Sequence, residues 1–553
     1  MWVVPPGGMK PKGRKQMSAY KRRSFLRQSL LSAASLAGSW PLNVGSAKGG
    51  RAVSGTGTTR VSDAPAKLHV EVVDETGGQV WARLEVRGPE GKMYGPEPAL
   101  GDGAAHHFPG IGPWYLGSFV AKGETVVEVP AGEYTVIAEH GTEYERFEKR
   151  VVAGAGQSIG LRIPLKPWVR MNELGWWSAD LHVHRDPADM PKLALAEDLN
   201  LSVLFTIWNK ANLWQGKEWP KNPVLEVTPR HLVTLLNAED ERGGGAWLLQ
   251  GLQKNLDLAV QGRWYPPGID FVRQARAQRS DASEFPWFEC EKPFWWETPV
   301  MMALEPPDSI GVLHNHFTQY GILSNEAWGR PRDREKYPGA RGFVDYSLDL
   351  YYRYLNLGLR IPPSAGSASG VLPNPVGYNR AYVKLDKPFS VKAWYDALRS
   401  GPSFVTNGPV LFMNTTNLPG GMVRVTAEAR AREPLEKIEM VANGQVIGQF
   451  LAPQGARSFQ AERTLAGEHH SWLAVRCYGK SESTIRMAHS RPIPLAGTWN
   501  PREDALFFTR WMEELAEQAR NDPERFRNPA ERDTVLGLYE QARRFYAEKA
   551  GPS

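Results

Sequence analysis

Cysteine is nearly absent: the 553 residues hold only Cys290 and Cys477. Two cysteines so far apart make neither a disulfide framework nor a thiolate zinc cluster. The expectation is two free, buried thiols, with a single disulfide the alternative in an oxidising compartment. Long apolar runs are also missing. The longest candidate, near the start, is broken by Ser and Gly and too short for a stable membrane span. No P-loop, dinucleotide-binding glycine fingerprint or G-x-S-x-G elbow falls where strand and helix context would support it. Acidic residues are missing from residues 1–47, which carry Lys10, Lys12, Arg14, Lys15, Lys21, Arg22, Arg23 and Arg27. The net charge of +6 therefore belongs to the start of the chain. The remainder is slightly acidic, so the basic balance is no argument for a nucleic-acid partner.

What is present begins with that basic start. "KRRSFLRQSLLSAASLAGSW" has Arg22-Arg23, then Phe25-Leu26, then a weakly apolar run, and "GSA" at Gly45–Ala47 offers small residues for cleavage. It resembles a bacterial twin-arginine export signal, with Met17 as an alternative start. The resemblance implies passage through the twin-arginine machinery to a periplasmic or extracellular location. Residues 1–47 are thus expected to be a signal and 48–64, rich in Gly, Ser and Thr, a linker.

Residues 65–166 alternate apolar and polar in short runs such as "KLHVEVVDE" and "EYTVIAEHG", the pattern of an antiparallel β-sandwich. "VPAGEYTVIAEHG" resembles the regulatory-type sandwiches attached to secreted carboxypeptidases. His106, His107 and His140 are expected on its surface or in its turns. Residues 172–385 change grammar. Buried runs "SADLHVH", "LSVLFTIW", "LVTLLNAED" and "SIGVLHNH" alternate with helical or irregular connections, which argues for a barrel-like α/β domain. Residues 386–497 return to a β pattern, expected as a second sandwich in which His489 is structural. Residues 498–553 carry two amphipathic stripes, Phe507, Trp511, Leu515 and Ala519, then Val535, Leu538, Tyr539, Ala542 and Tyr546. His231 is expected on a helix surface. The 20 tryptophans cluster at Trp176-Trp177, Trp208, Trp214, Trp219, Trp287 and Trp295-Trp296. Core packing is favoured over an aromatic ligand cleft.

Chemistry concentrates at the ends of the buried runs, where active sites of parallel barrels lie. His182 and His184, two apart on a strand, share a face and can reach one ion; Asp180 shares it too. Glu239 and the pair His314 and His316 end two further runs. This placement, with "DLHVH", resembles the PHP (polymerase and histidinol phosphatase) superfamily, in its CehA/McbA-like metallohydrolase branch. The resemblance spans most of the mature chain. It implies a distorted (β/α)7 barrel flanked by two β-sandwich domains and a C-terminal helical segment. It further implies a divalent ion (Zn, Mn or Fe) on His182, His184, Glu239 and His316, with Glu241 competing for the place of Glu239. Ile207 and Trp208 stand where the family carries Asp and His, and Ala368 and Ser369 near where it carries Asp and His. These departures argue against three ions. They leave one, or two if Asp180, Glu297 or His314 contributes.

Arg185, beside the second histidine, can clamp an anionic oxygen and with Glu241 is a candidate catalytic residue. Trp208, Asn209, Asn379 and Arg380 are candidate substrate contacts, the last two from a Gly- and Pro-rich loop at the barrel mouth. The implied activity is hydrolysis of an ester or phosphoester bond in a small-molecule or glycan-linked substrate by metal-activated water. The alternative is a barrel with a depleted ligand set that binds a glycan or surface polymer.

Overall fold

The computed structural model describes residues 64–96, 118–258, 262–280 and 285–551. The leader, most of the linker, His106 and His107 lie outside the described residues. At the centre seven strands form a nearly closed, barrel-like sheet. They are β1 (Trp176–Val183), β2 (Leu201–Trp208), β3 (His231–Arg242), β4 (Gly245–Gln250), β5 (Trp287–Cys290), β6 (Ser309–Leu313) and β7 (Pro363–Ala365). Their apolar runs are buried almost throughout, as strands covered on both faces require. β1, β2 and β3 run parallel, as do β5, β6 and β7. β4 alone is antiparallel to its neighbours. The C-terminal ends of the parallel strands therefore meet at one rim.

Closure is incomplete because β1 serves two neighbours on the same side. Its first half pairs with β8 (Arg380–Lys384). Its end meets the chain just beyond β7 through a parallel bridge between Val183 and Ser369, where the His184 N–H donates to the Ser369 carbonyl at 2.7 Å. β8 in turn carries the sheet outward, through Ser403–Thr406, Arg486–Ser490, Trp472–Gly479, Leu435–Ala442 and Gln445–Leu451. Much of residues 386–497 is thus hydrogen-bonded into the central sheet. The edge of β8 would otherwise present unpaired backbone groups. A three-stranded sheet, Val410–Asn417, Met422–Arg430 and Ser458–Ala466, packs over this extension around a core that includes Val425, Ile438, Leu473 and Cys477.

The N-terminal β region forms its own seven-stranded sheet around a separate core. Its long strand Ser118–Val129 pairs first with Trp81–Arg87 and then with Ala66–Val73. The switch falls at Gly123, whose φ of +67° permits the bend. Val120 packs with Val183, Leu193 and Leu204 to dock this sheet on the barrel. Arg83 reinforces the junction by donating to Glu197 at 2.8 Å.

Two histidines depart from expectation. His140 is buried against the Ala196 carbonyl at 3.2 Å rather than at the surface, because the N-terminal sheet packs on the barrel there. His231 opens strand β3 rather than a helix, and it is buried between Asp198 at 3.0 Å and Thr228 Oγ1 at 2.7 Å. His489 is structural, bridging the Tyr352 hydroxyl and the Ser490 carbonyl. Both cysteines are free and buried. Trp247, Trp287, Trp295, Trp394 and Trp511 are fully buried core residues. Among the described residues no helix is long and apolar enough to cross a membrane.

Four helices cover the barrel flank: α1 (Thr298–Leu304), α2 (Gly339–Asn356), α3 (Arg502–Asn521) and α4 (Pro529–Ala550). The apolar stripes of α3 and α4 face inward as their spacing requires. Phe508 is fully buried and stacks on Tyr354 of α2 with ring centroids 4.4 Å apart. Phe508→Ala removes that contact and leaves a cavity, so it should cost about 3–5 kcal/mol of stability. Urea unfolding measures this; a loss under about 1 kcal/mol, typical of surface positions, would show that the helix pair is not docked this way.

Candidate metal centre

Three donor atoms converge at the barrel rim. His182 Nε2 lies 2.9 Å from His184 Nε2 and 3.4 Å from Glu239 Oε2, and His184 Nε2 lies 2.8 Å from the same oxygen. All three side chains are buried, and their donor atoms fall within 4.8 Å of one another. The spacing suits an ion: bonds of about 2.0–2.1 Å put neighbouring donors about 3.0 Å apart in octahedral and about 3.4 Å in tetrahedral geometry. Two imidazoles and one carboxylate are a donor set for Zn, Mn or Fe. His182 Nδ1 is buried without a hydrogen-bond partner and faces Glu291 Oε1 at 3.8 Å. A carboxylate on the far nitrogen is how a metal-bound imidazole is usually oriented.

The local chain explains the convergence. His182 ends the regular part of β1, and the Ser369 bridge prolongs that strand through His184, so both rings stay on one face. Glycine is required beside them: a Cβ on Gly366 would lie 2.4 Å from His182 Cβ, and one on Gly370, with φ +104°, 1.8 Å from the His184 carbonyl oxygen. Glu239 is presented by β3, whose Glu239–Glu241 segment is pinned by Asn209. The Asn209 N–H donates to the Glu239 carbonyl at 2.9 Å, and its side chain exchanges hydrogen bonds with the Glu241 backbone at 2.8 and 3.0 Å.

Electrostatics follow from burial. Burial would lower the His182 imidazole, but the Glu239 carboxylate overrides it and raises the ring to about 9. Burial wins at His184, which is lowered. Burial also opposes ionisation of Glu239, yet the two histidines hold it well below the usual carboxylate range. Glu241 is only partly exposed; burial, then the charge of Glu239, pushes it up to about 8. The Trp208 indole donates to Glu241 Oε2 at 3.1 Å and lies 4.9 Å, centroid to centroid, from the His184 ring.

The other candidates are placed differently. Asp180 is clamped by the backbone N–H groups of His182, Ser367 and Gly377 at 3.0, 3.0 and 2.7 Å, so its carboxylate ties the loop between β7 and β8 to β1 instead of reaching the histidine rings. His316 stands outside the converging group; its ring stacks on Phe343 of α2, centroids 5.7 Å apart. His314 lies beside it, within 3.4 Å of Ser347 Oγ. Both rings are lowered well below the usual histidine value by burial and remain outside the group. Glu297 also lies apart and accepts from the Tyr539 hydroxyl of α4 at 2.6 Å. Arg185 is buried and donates to Ser369 Oγ at 3.1 Å. Asn379 ties the His314, Phe317 and Gly366 carbonyls together, and Arg380 donates to the Gly377 and Glu197 carbonyls, so both serve loop structure. Ile207 is core, and Ser369 is held by His184, Arg185 and the Asn374 carbonyl.

Two residues at the rim escaped sequence reasoning. Glu291 and Lys292 follow β5, with 3% and 2% exposure, and the Lys292 ammonium donates to both Glu291 oxygens. The signal was available: "FECEK" ends a short run as "DLHVH" does. No protein-family model, no curated protein and no solved structure matches the chain.

In the metal-free chain the His182 imidazole is raised from its usual 6.5 to about 9 by Glu239. A raised histidine contributes stability that is fully present below pH 6.5 and lost as pH rises through about 9. Chelator-treated protein should therefore lose part of its Tm between those limits, and His182→Gln should flatten that slope. An unchanged slope in the variant would contradict the pairing.

Proposed function

We propose that this chain is an exported metal-dependent hydrolase of PHP type, acting on an ester or phosphoester bond. The single observation that carries the reading is the convergence of His182, His184 and Glu239 at the rim where parallel strands end. Three protein donors leave coordination positions for water and substrate, as catalytic sites do and closed structural sites do not. A divalent ion, when bound, supplies Lewis acidity to the scissile bond and lowers the pKa of water. The chain's own residues do the rest. Glu241, raised to about 8, is suited to take and return a proton near neutral pH, and the Trp208 indole fixes its orientation. Asn209 holds the backbone between the two acids. An open cavity of about 520 Å³, lined by Ile207, Leu256 and Leu258 together with Asn209, Lys210 and Asn212, borders the chain on either side of Trp208 and offers an approach for substrate. The basic leader at residues 1–47 supports export.

A second reading is a binding scaffold, favoured by Ile207 and Ser369 being packed or hydrogen-bonded where donors were expected. Metal content separates the two. Purified protein should carry a divalent ion, and His182→Ala or Glu239→Gln should reduce it to below about one-tenth. Both should also abolish chelator-sensitive hydrolysis of aryl esters or phosphodiesters, since these residues hold the ion directly. A metal-free protein, in which His182→Ala changes nothing, would leave the scaffold reading.

A further inference from the structure

Lys292 sits in an unusual place for a lysine. It is 2% exposed, inside the barrel rim, and held by the Glu291 carboxylate with Nζ–Oε1 at 2.6 Å. Its ammonium also stands 4.5 Å from the Trp295 ring centroid, and the Trp295 indole donates to Glu291 Oε2 at 3.1 Å. A buried ammonium with these fixed partners does not wander. Its charge bears on His182, Glu241, His314 and His316 alike, so it lies within electrostatic reach of both histidine pairs.

We propose that Lys292 is a built-in cation in the place of a second metal ion, so that the rim holds one divalent ion, on His182, His184 and Glu239. The proposal rests on the hydrolase reading and deepens it by fixing the number of ions. Two observations carry it. First, the carboxylates that could bridge to a second ion are engaged: both Glu291 oxygens face Lys292, one also taking the Trp295 indole, and Glu241 Oε2 accepts from Trp208. His314 and His316 are then left with no carboxylate to complete a site, and neither joins a converging donor group among the described residues. Second, the Lys292 ammonium already neutralises Glu291, so a second dication beside it would meet a like charge in a buried site, which is strongly unfavourable. The ammonium also supplies a fixed positive charge toward which an anionic oxygen of the substrate can be drawn.

The test is metal stoichiometry on the full chain, loaded with Mn²⁺ and desalted. Wild type should bind one ion per chain by elemental analysis. Its bound Mn²⁺ should give the six-line electron paramagnetic resonance spectrum of an isolated ion. Lys292→Arg should keep one ion, whereas Lys292→Met, which frees Glu291, should bind two. Two ions on wild type, or the multiline spectrum of a coupled pair, overturns the proposal without touching the hydrolase reading; so does a folded Lys292→Met that still binds one. The wild-type spectrum decides even where Lys292→Met does not fold. No ion at all on wild type overturns the hydrolase reading, and this proposal with it.

Discussion

A carboxylate taken out of water has to be met by positive charge or by hydrogen-bond donors, and Glu239 is 2% exposed. That constraint shapes the rim. His182 and His184 close on Glu239 from one side, and Lys292 neutralises Glu291 on the other. Burial, and then the charge of Glu239, makes Glu241 hold its proton more tightly than an ordinary carboxyl. A divalent ion is the natural replacement for the proton that His182 otherwise carries. The same acid–histidine cluster could hold a divalent ion.

The scaffold serves this cluster by bringing distant chain segments to one level. Asp180 spends its carboxylate on backbone N–H groups of residues 367 and 377, locking the loop between β7 and β8 against β1. That loop returns the favour through Ser369, whose carbonyl extends β1 far enough to keep His184 in line with His182. The close approach explains why the loop reads "AGSASG": side chains at Gly366 and Gly370 would collide with the histidine segment. Among the described residues, the outer sheets and the α3–α4 pair add buried area around this core without contributing donors to the converging group.

Local periodicity was legible in the sequence, and long-range partnership was not. Alternation over residues 65–166, the buried runs of the barrel and the stripes of α3 and α4 are each set by the face a residue must bury, which spacing reveals. The same logic found His182, His184 and Glu239. It failed at His316 because β6 stops at Leu313; the two-residue period has no force once the chain has left the strand, and the ring turns toward Phe343. It failed at Asp180 because the partners that claim its carboxylate are about two hundred residues away. Glu291 and Lys292 were missed because β5 is only four residues long and shows no clear period. The continuity of the outer β region with the barrel hangs on the pairing of β8 with Ser403–Thr406, and edge-to-edge pairing leaves no mark on hydrophobic pattern.

The account's central claim is that one ion sits on these three side chains. Anomalous diffraction from crystals of the Zn- or Mn-loaded protein tests it most directly. The claim requires a single strong peak about 2.0–2.2 Å from His182 Nε2, His184 Nε2 and a Glu239 oxygen, the distances such donors take. A loaded crystal with no peak there, or with its peak on His314 and His316, would contradict it.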